Sequence, residues 1–508
     1  MSSSSTIFEL LQAGADDDEA IAGLDRPALT YRGLRALVSQ TAAALHGLGF
    51  GRNDRIAIVL PNGPQMATVF VAASACTTTA PLNPAYKKDE YDFYLADLGA
   101  RALIVEKGSD SPAVQSAAEQ DIAVIEIDAD PDDPAGFFTF VGAQADAAAD
   151  PPTMARSEDT ALVLHTSGTT SRPKIVPLSQ ANVCASAANI QKTLGLDTDD
   201  VCLNVMPLFH IHGLMAAILA TLGKGGSVWC SPGFDALRFY SWLQEAHPTW
   251  YTAVPTMHQA ILARAKRNAD IVAGARLRFI RSSSSSLPTQ VLHELEDTFG
   301  VPVVEAYAMT EASHQMTCNP LPPGVRKPGT VGCAAGPEVA VMHVTEAELL
   351  AKGETGEVVI RGENVTTGYE NNPDANAACF VDGWFRTGDQ GVMDEDGYLT
   401  ITGRLKEIIN RGGEKISPRE VDDVLMDHSA VQQVVTFAMP HKSLGEEVAA
   451  VVVLREGESA DEASIRSFAA EHLASFKVPR KVLFMDEIPK GATGKLQRIG
   501  LAEKLGLG

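Results

Sequence analysis

The first 150 residues alternate two hydrophobic patterns. Short apolar runs at 55–60, 102–105 and 122–127 predict buried strands. Apolar positions recurring every third or fourth residue over 31–48 and 65–76 predict helices, and Pro61-Asn62-Gly63 supplies a turn between the first strand and the second helix. The pattern continues with a strand at 161–164, helices over 180–194 and 215–222, and strands at 227–230, 249–253 and 277–281. Strands alternating with helices imply largely parallel sheets covered on both faces. The Asp/Ala/Pro-rich segment 128–152 predicts a loop with a solvated acidic surface. Short strands and Gly-rich turns between 331 and 403 suggest antiparallel pairing, and the pattern changes again at Gly403-Arg404-Leu405-Lys406. Helices are expected beyond it over 418–426 and 463–473. The expected fold is α/β: a large N-terminal domain of mixed, mainly parallel sheets (1–403), a hinge at 404–406 centred on Lys406, and a small mobile α+β domain (407–508).

Composition narrows the classes. A chain of 508 residues with 45% hydrophobic content has the length for several domains and the makeup of a soluble globular protein. No apolar run approaches the roughly 18 residues of a membrane helix, and residues 1–6 lack the basic and apolar parts of a signal peptide. Seven cysteines without C-x-x-C spacing point to a reducing cytoplasm and away from a zinc site. The net charge of −23 argues against a general nucleic-acid binder. Residues 404–508 hold 15 basic and 16 acidic residues, so nearly all of that excess lies in residues 1–403. Anionic substrates would need local positive groups, which screening over about 8 Å permits.

Such a group stands in His165-Thr166-Ser167-Gly168-Thr169-Thr170-Ser171-Arg172-Pro173-Lys174. Dense hydroxyls, a glycine and Lys174 after a buried strand suit oxyanions, although the G-x-x-x-x-G-K-[ST] phosphate loop is absent. His210 and His212, two apart, would share one side of a strand, but no third metal ligand is near. Five consecutive serines, Ser282 to Ser286, lie between a strand and a helix beginning near Pro288, the context of a ligand loop.

Four further segments are Tyr307-Ala308-Met309-Thr310-Glu311, Arg386-Thr387-Gly388-Asp389, Gly403-Arg404-Leu405-Lys406 and Pro489-Lys490-Gly491-Ala492-Thr493-Gly494-Lys495. In this order they resemble the adenylate-forming enzymes, over nearly the whole chain. The resemblance implies a ligase that uses ATP, Mg²⁺ and coenzyme A to convert a carboxylic acid, through an acyl adenylate, to a thioester. Thr166, Ser167, Gly168, Thr169, Thr170 and Lys174 would then hold the β- and γ-phosphates. Thr310 would bind the α-phosphate, Glu311 the metal, Asp389 and Arg404 the ribose, and Tyr307 the adenine. Lys495 would bridge carboxylate and α-phosphate, and His210 would gate the acyl pocket. Rotation of the C-terminal domain would withdraw Lys495. Arg411, Gly412 and Gly413 would then meet the pantetheine arm, with Arg480 and Lys481 as candidate phosphate contacts. Ser171 and Ile175 stand where the family's common pattern has glycine, as does Ala308. Ile175 is β-branched and ill suited to positive φ, so an altered loop exit is expected there.

Ser171-Arg172-Pro173-Lys174, Leu208-Phe209-His210, 250–256, 306–312 and 409–418 are most similar to the oxalate–CoA ligases within that family. The resemblance implies that Ser284 and His314 contact the distal carboxylate of a small diacid. The chemistry agrees, since an unpaired buried charge is costly. Malonate, glycolate or another small acid, and loading of a separate carrier protein, stay open. The expected partners are small molecules, with no nucleic acid or membrane, and the expected state is a monomer or homodimer.

Overall fold

The structure, a computed structural model, describes residues 4–142, 153–166, 173–489 and 498–507. Two large sheets dominate. One has nine strands in the order Cys333–Ala334, His314–Cys318, Val303–Met309, Phe279–Ser282, Trp250–Ala253, Val201–Asn204, Ser227–Cys230, Glu19–Ala22 and Leu29–Thr30. Its six middle strands run parallel. The other has seven, with Ala123–Asp128, Ala102–Glu106, Arg55–Ile58, Thr78–Pro81 and Thr160–His165 parallel in its centre. The Pro64–Ser74 helix packs between them, against Thr78–Pro81 of one sheet and Glu19–Ala22 and Ser227–Cys230 of the other. It is buried on every side from Met66 to Ser74, as a helix lacking a polar face must be. The expected mainly parallel architecture is therefore present.

Residues beyond 337 build two smaller sheets, one of them antiparallel, from Glu338–Met342, Thr355–Arg361, Phe380–Val381, Trp384–Met393 and Leu399–Arg404. The other joins Ile409–Arg411, Glu414–Ile416, Val431–His441 and Gly445–Leu454, with Lys481–Phe484 added in parallel, and carries the Pro418–Met426 and Glu462–His472 helices. Polar contacts join it to the rest of the chain, among them an ion pair between Arg455 and Glu294 at 3.6 Å. Ser417 Oγ donates to Thr402 O, Arg419 Nη1 to Ile401 O at 2.7 Å, and Gln259 Nε2 to Gln432 O at 3.1 Å.

Three local expectations change. The stretch opening at His212 is a π-helix, His212–Leu219, followed by a short α-turn, Ala220–Leu222. His210 and His212 thus lie at a helix start and not on a strand. Gly213 sits where a Cβ would come within 2.6 Å of Pro207 O, and both His212 ring nitrogens are tethered, so an ordinary first turn is constrained at two points. Thr139 and Phe140 form a strand on Ile127 and Asp128 within the expected 128–152 loop, of which 143–152 lie outside the described residues. Ile175 opens a strand paired with His165, in extended conformation and buried, so a β-branched residue suits its position.

Glu305 lies fully inside, on the strand before Tyr307. Oε1 accepts from Leu287 N at 2.9 Å, and Oε2 has no partner among the described residues. Burial raises its pKa to about 7, with Arg419 opposing. The fold prefers the protonated form, so this residue's stabilising contribution is complete below the free-carboxyl range and is lost as pH rises through about 7. The thermal midpoint of Glu305→Gln should gain on the wild type as pH goes from 5 to 8. A constant difference between the two would show that Glu305 does not titrate on unfolding.

Candidate active site

The Ser/Thr loop leaves Thr160–His165 and returns in Ile175–Ser179, two antiparallel neighbours. Its neck is closed twice: Thr166 N donates to Lys174 O at 2.9 Å, and Lys174 N donates to Thr166 Oγ1 at 3.1 Å. Ser167, Gly168, Thr169 and Thr170 lie outside the described residues. His165 Nε2 lies 3.0 Å from Asp97 Oδ2 with Tyr94 against its ring. His165 also borders a cavity of about 60 Å³ that includes Tyr86, Tyr94, Phe209, His210 and Thr310 in its lining. His210 and Thr310, about a hundred positions apart in sequence, are brought together there.

The strand Val303–Met309 delivers Tyr307, then a 3-10 turn, Thr310–Ala312, delivers Thr310 and Glu311. Tyr307 OH donates to Asp389 Oδ2. Asp389 and Arg404 face each other across adjacent strands, and Arg404 Nε lies 3.3 Å from Asp389 Oδ1. Glu311 is buried; its Oε1 accepts from Tyr369 OH at 2.6 Å. Lys174 Nζ stands 4.3 Å from the centre of the Tyr369 ring. Burial and the Glu311 carboxylate raise the Tyr369 pKa, so its hydroxyl stays protonated and donates. Tyr369 belongs to a strap, Asn364 to Glu370, that ties both large sheets. Thr366 N donates to Glu311 O at 2.7 Å, Thr366 Oγ1 to Pro177 O at 2.8 Å, and Glu370 N to Ile175 O at 3.0 Å.

A second polar cluster includes His314, on the strand that follows the Thr310–Ala312 turn. Ser284 has φ of 73° and His314 has φ of 102°, a left-handed backbone uncommon for such residues and typical of over-determined sites. His212 links them: its Nδ1 lies 2.9 Å from Ser284 Oγ, and its ring centre lies 4.9 Å from that of His314. Its Nε2 lies 2.6 Å from Thr252 Oγ1. Strand register places Thr252 beside Arg281. Arg281 is fully buried and reaches Thr252 Oγ1 at 3.3 Å, His212 Nε2 at 3.4 Å and Gln315 Oε1 at 3.2 Å. Among the described residues it makes no ion pair with a carboxylate. Burial lowers its pKa to about 10, which leaves it charged at neutral pH.

The profile of the AMP-binding enzymes matches residues 10–370, and that of the AMP-binding enzyme C-terminal domain matches 420–495. The chain belongs to the AMP-binding enzyme family. It is 44% identical to an oxalate–CoA ligase of Arabidopsis thaliana, over 92% of either chain. It is 42% identical to an oxalate–CoA ligase of Saccharomyces cerevisiae, over 94% of this chain and 92% of the other. The solved structure of ATP-bound MatB from Rhodopseudomonas palustris superposes with a TM-score of 0.88 at 29% identity, over 98% of each. The protein is an acid–CoA ligase of that family.

In this AMP-binding enzyme, Lys406 is exposed in the turn that follows Leu399–Arg404. Gly412 and Gly413, with φ of 61° and 102°, form the two-residue turn of the hairpin joining Ile409–Arg411 to Glu414–Ile416, the type that requires positive φ. Arg411 Nε is paired with Glu447 Oε1 at 2.6 Å. Arg480 is exposed, and Lys481 Nζ lies 3.3 Å from Glu462. Lys495 lies outside the described residues. No helix among the described residues is long and apolar enough to cross a membrane. Sequence reasoning missed Tyr369, Thr252, Arg281 and Gln315. A signal existed for two of them: Arg281 and Thr252 interrupt strands that are otherwise apolar, where a polar side chain needs a reason.

Tyr369→Phe removes the donor to Glu311 and keeps the ring under Lys174. A hydrogen bond to a charged group is worth about 1.5–3 kcal/mol, so adenylate formation should fall roughly 10- to 150-fold. ATP–pyrophosphate exchange is the measurement. An unchanged exchange rate would show that the Tyr369 hydroxyl does not support this site.

Proposed function

We propose that this AMP-binding enzyme activates oxalate, forming oxalyl-AMP with release of pyrophosphate and then oxalyl-CoA with release of AMP. The observation carrying this reading is the Ser284–His212–His314 cluster backed by the buried, carboxylate-free cation Arg281. A monocarboxylate needs an apolar wall at that end; a dianion needs donors and positive charge. The identity to two oxalate–CoA ligases supports the same choice.

In the first half-reaction a carboxylate oxygen attacks the α-phosphorus, and the bond to the pyrophosphate oxygen breaks. The acid is already the nucleophile, so the protein's task is positioning and charge neutralisation. Lys174 and the loop it closes would face the β- and γ-phosphates, with Thr310 at the α-phosphate. Asp389, oriented by Tyr307 and Arg404, has lone pairs left for ribose hydroxyls. Tyr307 would stack on adenine, and His210 would border the acyl pocket. Glu311 fits Mg²⁺, because one hard carboxylate suffices for an ion that keeps water and phosphate oxygens as its other ligands. When bound, the ion neutralises phosphate charge. In the second half-reaction the coenzyme A thiol, losing its proton to solvent, attacks the acyl carbon and AMP leaves. The segment 404–406 would hinge the region beyond it, moving Lys495 away and bringing Arg411, Gly412 and Gly413 to the pantetheine.

Two measurements test this. First, kcat/KM for oxalate should exceed those for malonate, glycolate and acetate. Ser284→Ala and His314→Ala should each lower the oxalate value about 10- to 150-fold while changing acetate little. Parallel losses for all acids would mean that these residues shape the pocket without reading the second carboxylate. Second, Lys495→Ala should cut adenylate formation on the order of 10²–10³-fold and largely spare thioester formation from supplied oxalyl-AMP. Equal losses in both half-reactions would remove the hinged exchange.

A further inference from the structure

We infer that Arg281 and Thr252 hold His212 as the neutral tautomer protonated on Nδ1, so that Ser284 accepts from His212 and keeps its own hydroxyl proton for the bound acid. This rests on the reading of the Ser284–His314 pocket as the acid site. Donor logic runs outward from the buried cation. A guanidinium has donors and no acceptor. Arg281 Nη1 at 3.3 Å therefore donates to Thr252 Oγ1, and at 3.4 Å it can only meet an accepting Nε2 on His212. The Thr252 hydroxyl proton, turned away from the guanidinium, is directed along the 2.6 Å contact to His212 Nε2. With Nε2 an acceptor, the neutral ring carries its proton on Nδ1, 2.9 Å from Ser284 Oγ. Ser284 Oγ receives that bond, which leaves its hydrogen to point away from His212. Gln315 Oε1 fixes the other guanidinium nitrogen at 3.2 Å.

The consequence is directional. In the opposite tautomer, Ser284 would spend its proton on His212 Nδ1 and offer an incoming carboxylate only lone pairs. Arg281 and Thr252 are thus positioning residues: the bound acid is read by Ser284, and the chain behind it sets which way that hydroxyl points. The links behind His212 are buried, where a hydrogen-bond chain polarises its members.

The test uses the full enzyme labelled with ¹⁵N at histidine, with His212 assigned by its loss in His212→Gln. The ring of substrate-free wild type should show a protonated Nδ1 and an unprotonated Nε2. Thr252→Val keeps the side-chain shape and removes the hydroxyl, so the Nδ1-protonated signature should weaken and KM for oxalate rise about tenfold. KM for acetate should move little, and Thr252→Ser should restore both readouts. Arg281→Met should act in the same direction. If that variant fails to fold, the two Thr252 variants decide alone. A wild-type His212 protonated on Nε2, or a Thr252→Val enzyme with unchanged KM for oxalate, overturns the inference. Failure of the oxalate reading is distinct: wild type would then show no preference for oxalate over acetate, while the ring signature of His212 still decides the tautomer.

Discussion

A guanidinium sealed inside a parallel sheet needs neutral acceptors on the spot, and much of the cluster around Ser284 and His314 answers that need. Arg281 stays charged at neutral pH and has no carboxylate beside it among the described residues. Water is excluded, so its neighbours must be hydroxyl, imidazole and amide groups. Thr252 comes from the adjacent strand in register, Gln315 from the strand after the Thr310 turn, and His212 from the start of the π-helix. His212 in turn meets the left-handed Ser284 and His314. The cost of isolating one cation therefore organises four chain segments and gives an acidic protein a positive interior where an anion would bind.

Much of this was legible in the order of residues. Apolar periodicity located the Gln180–Leu194 helix, and the structure shows why: Ser179 caps its start and Gly195 its end. It also found the strands around both large sheets, because parallel strands buried on both faces read as continuous apolar runs. The motif residues were recognisable from resemblance. Their mutual contacts were not, since Asp389 meets Arg404 only through antiparallel register and Tyr307 meets Asp389 across two sheets. The π-helix escaped because its composition is that of any buried helix. What sets it apart is the crowding of Gly213 by Pro207 and the tethering of His212 to Ser284 and Thr252, the second a long-range fact. Tyr369 carried no local signal, being one aromatic in a polar stretch.

The chemistry also explains why two clusters stand apart. Around Glu311 and Asp389 the groups are anions held by neutral or positive neighbours, an arrangement that keeps carboxylate lone pairs for a cation or for hydroxyls. Around Arg281 the polarity is reversed. One enzyme thus maintains an acceptor-rich region and a donor-rich region along connected strands, and the strand Val303–Met309 with its following turn runs from one to the other.

The strap from Asn364 to Glu370 gives this arrangement a mechanical meaning. Its backbone and side chains bond the rim of one large sheet at Ile175 and Pro177 and the turn of the other at Glu311 and Ala312. The strap therefore works as a tie rod across a gap that the buried Pro64–Ser74 helix already spans. Bonded to Ile175 at one end and to Glu311 near its middle, it links the Lys174 side of the site directly to the Glu311 side.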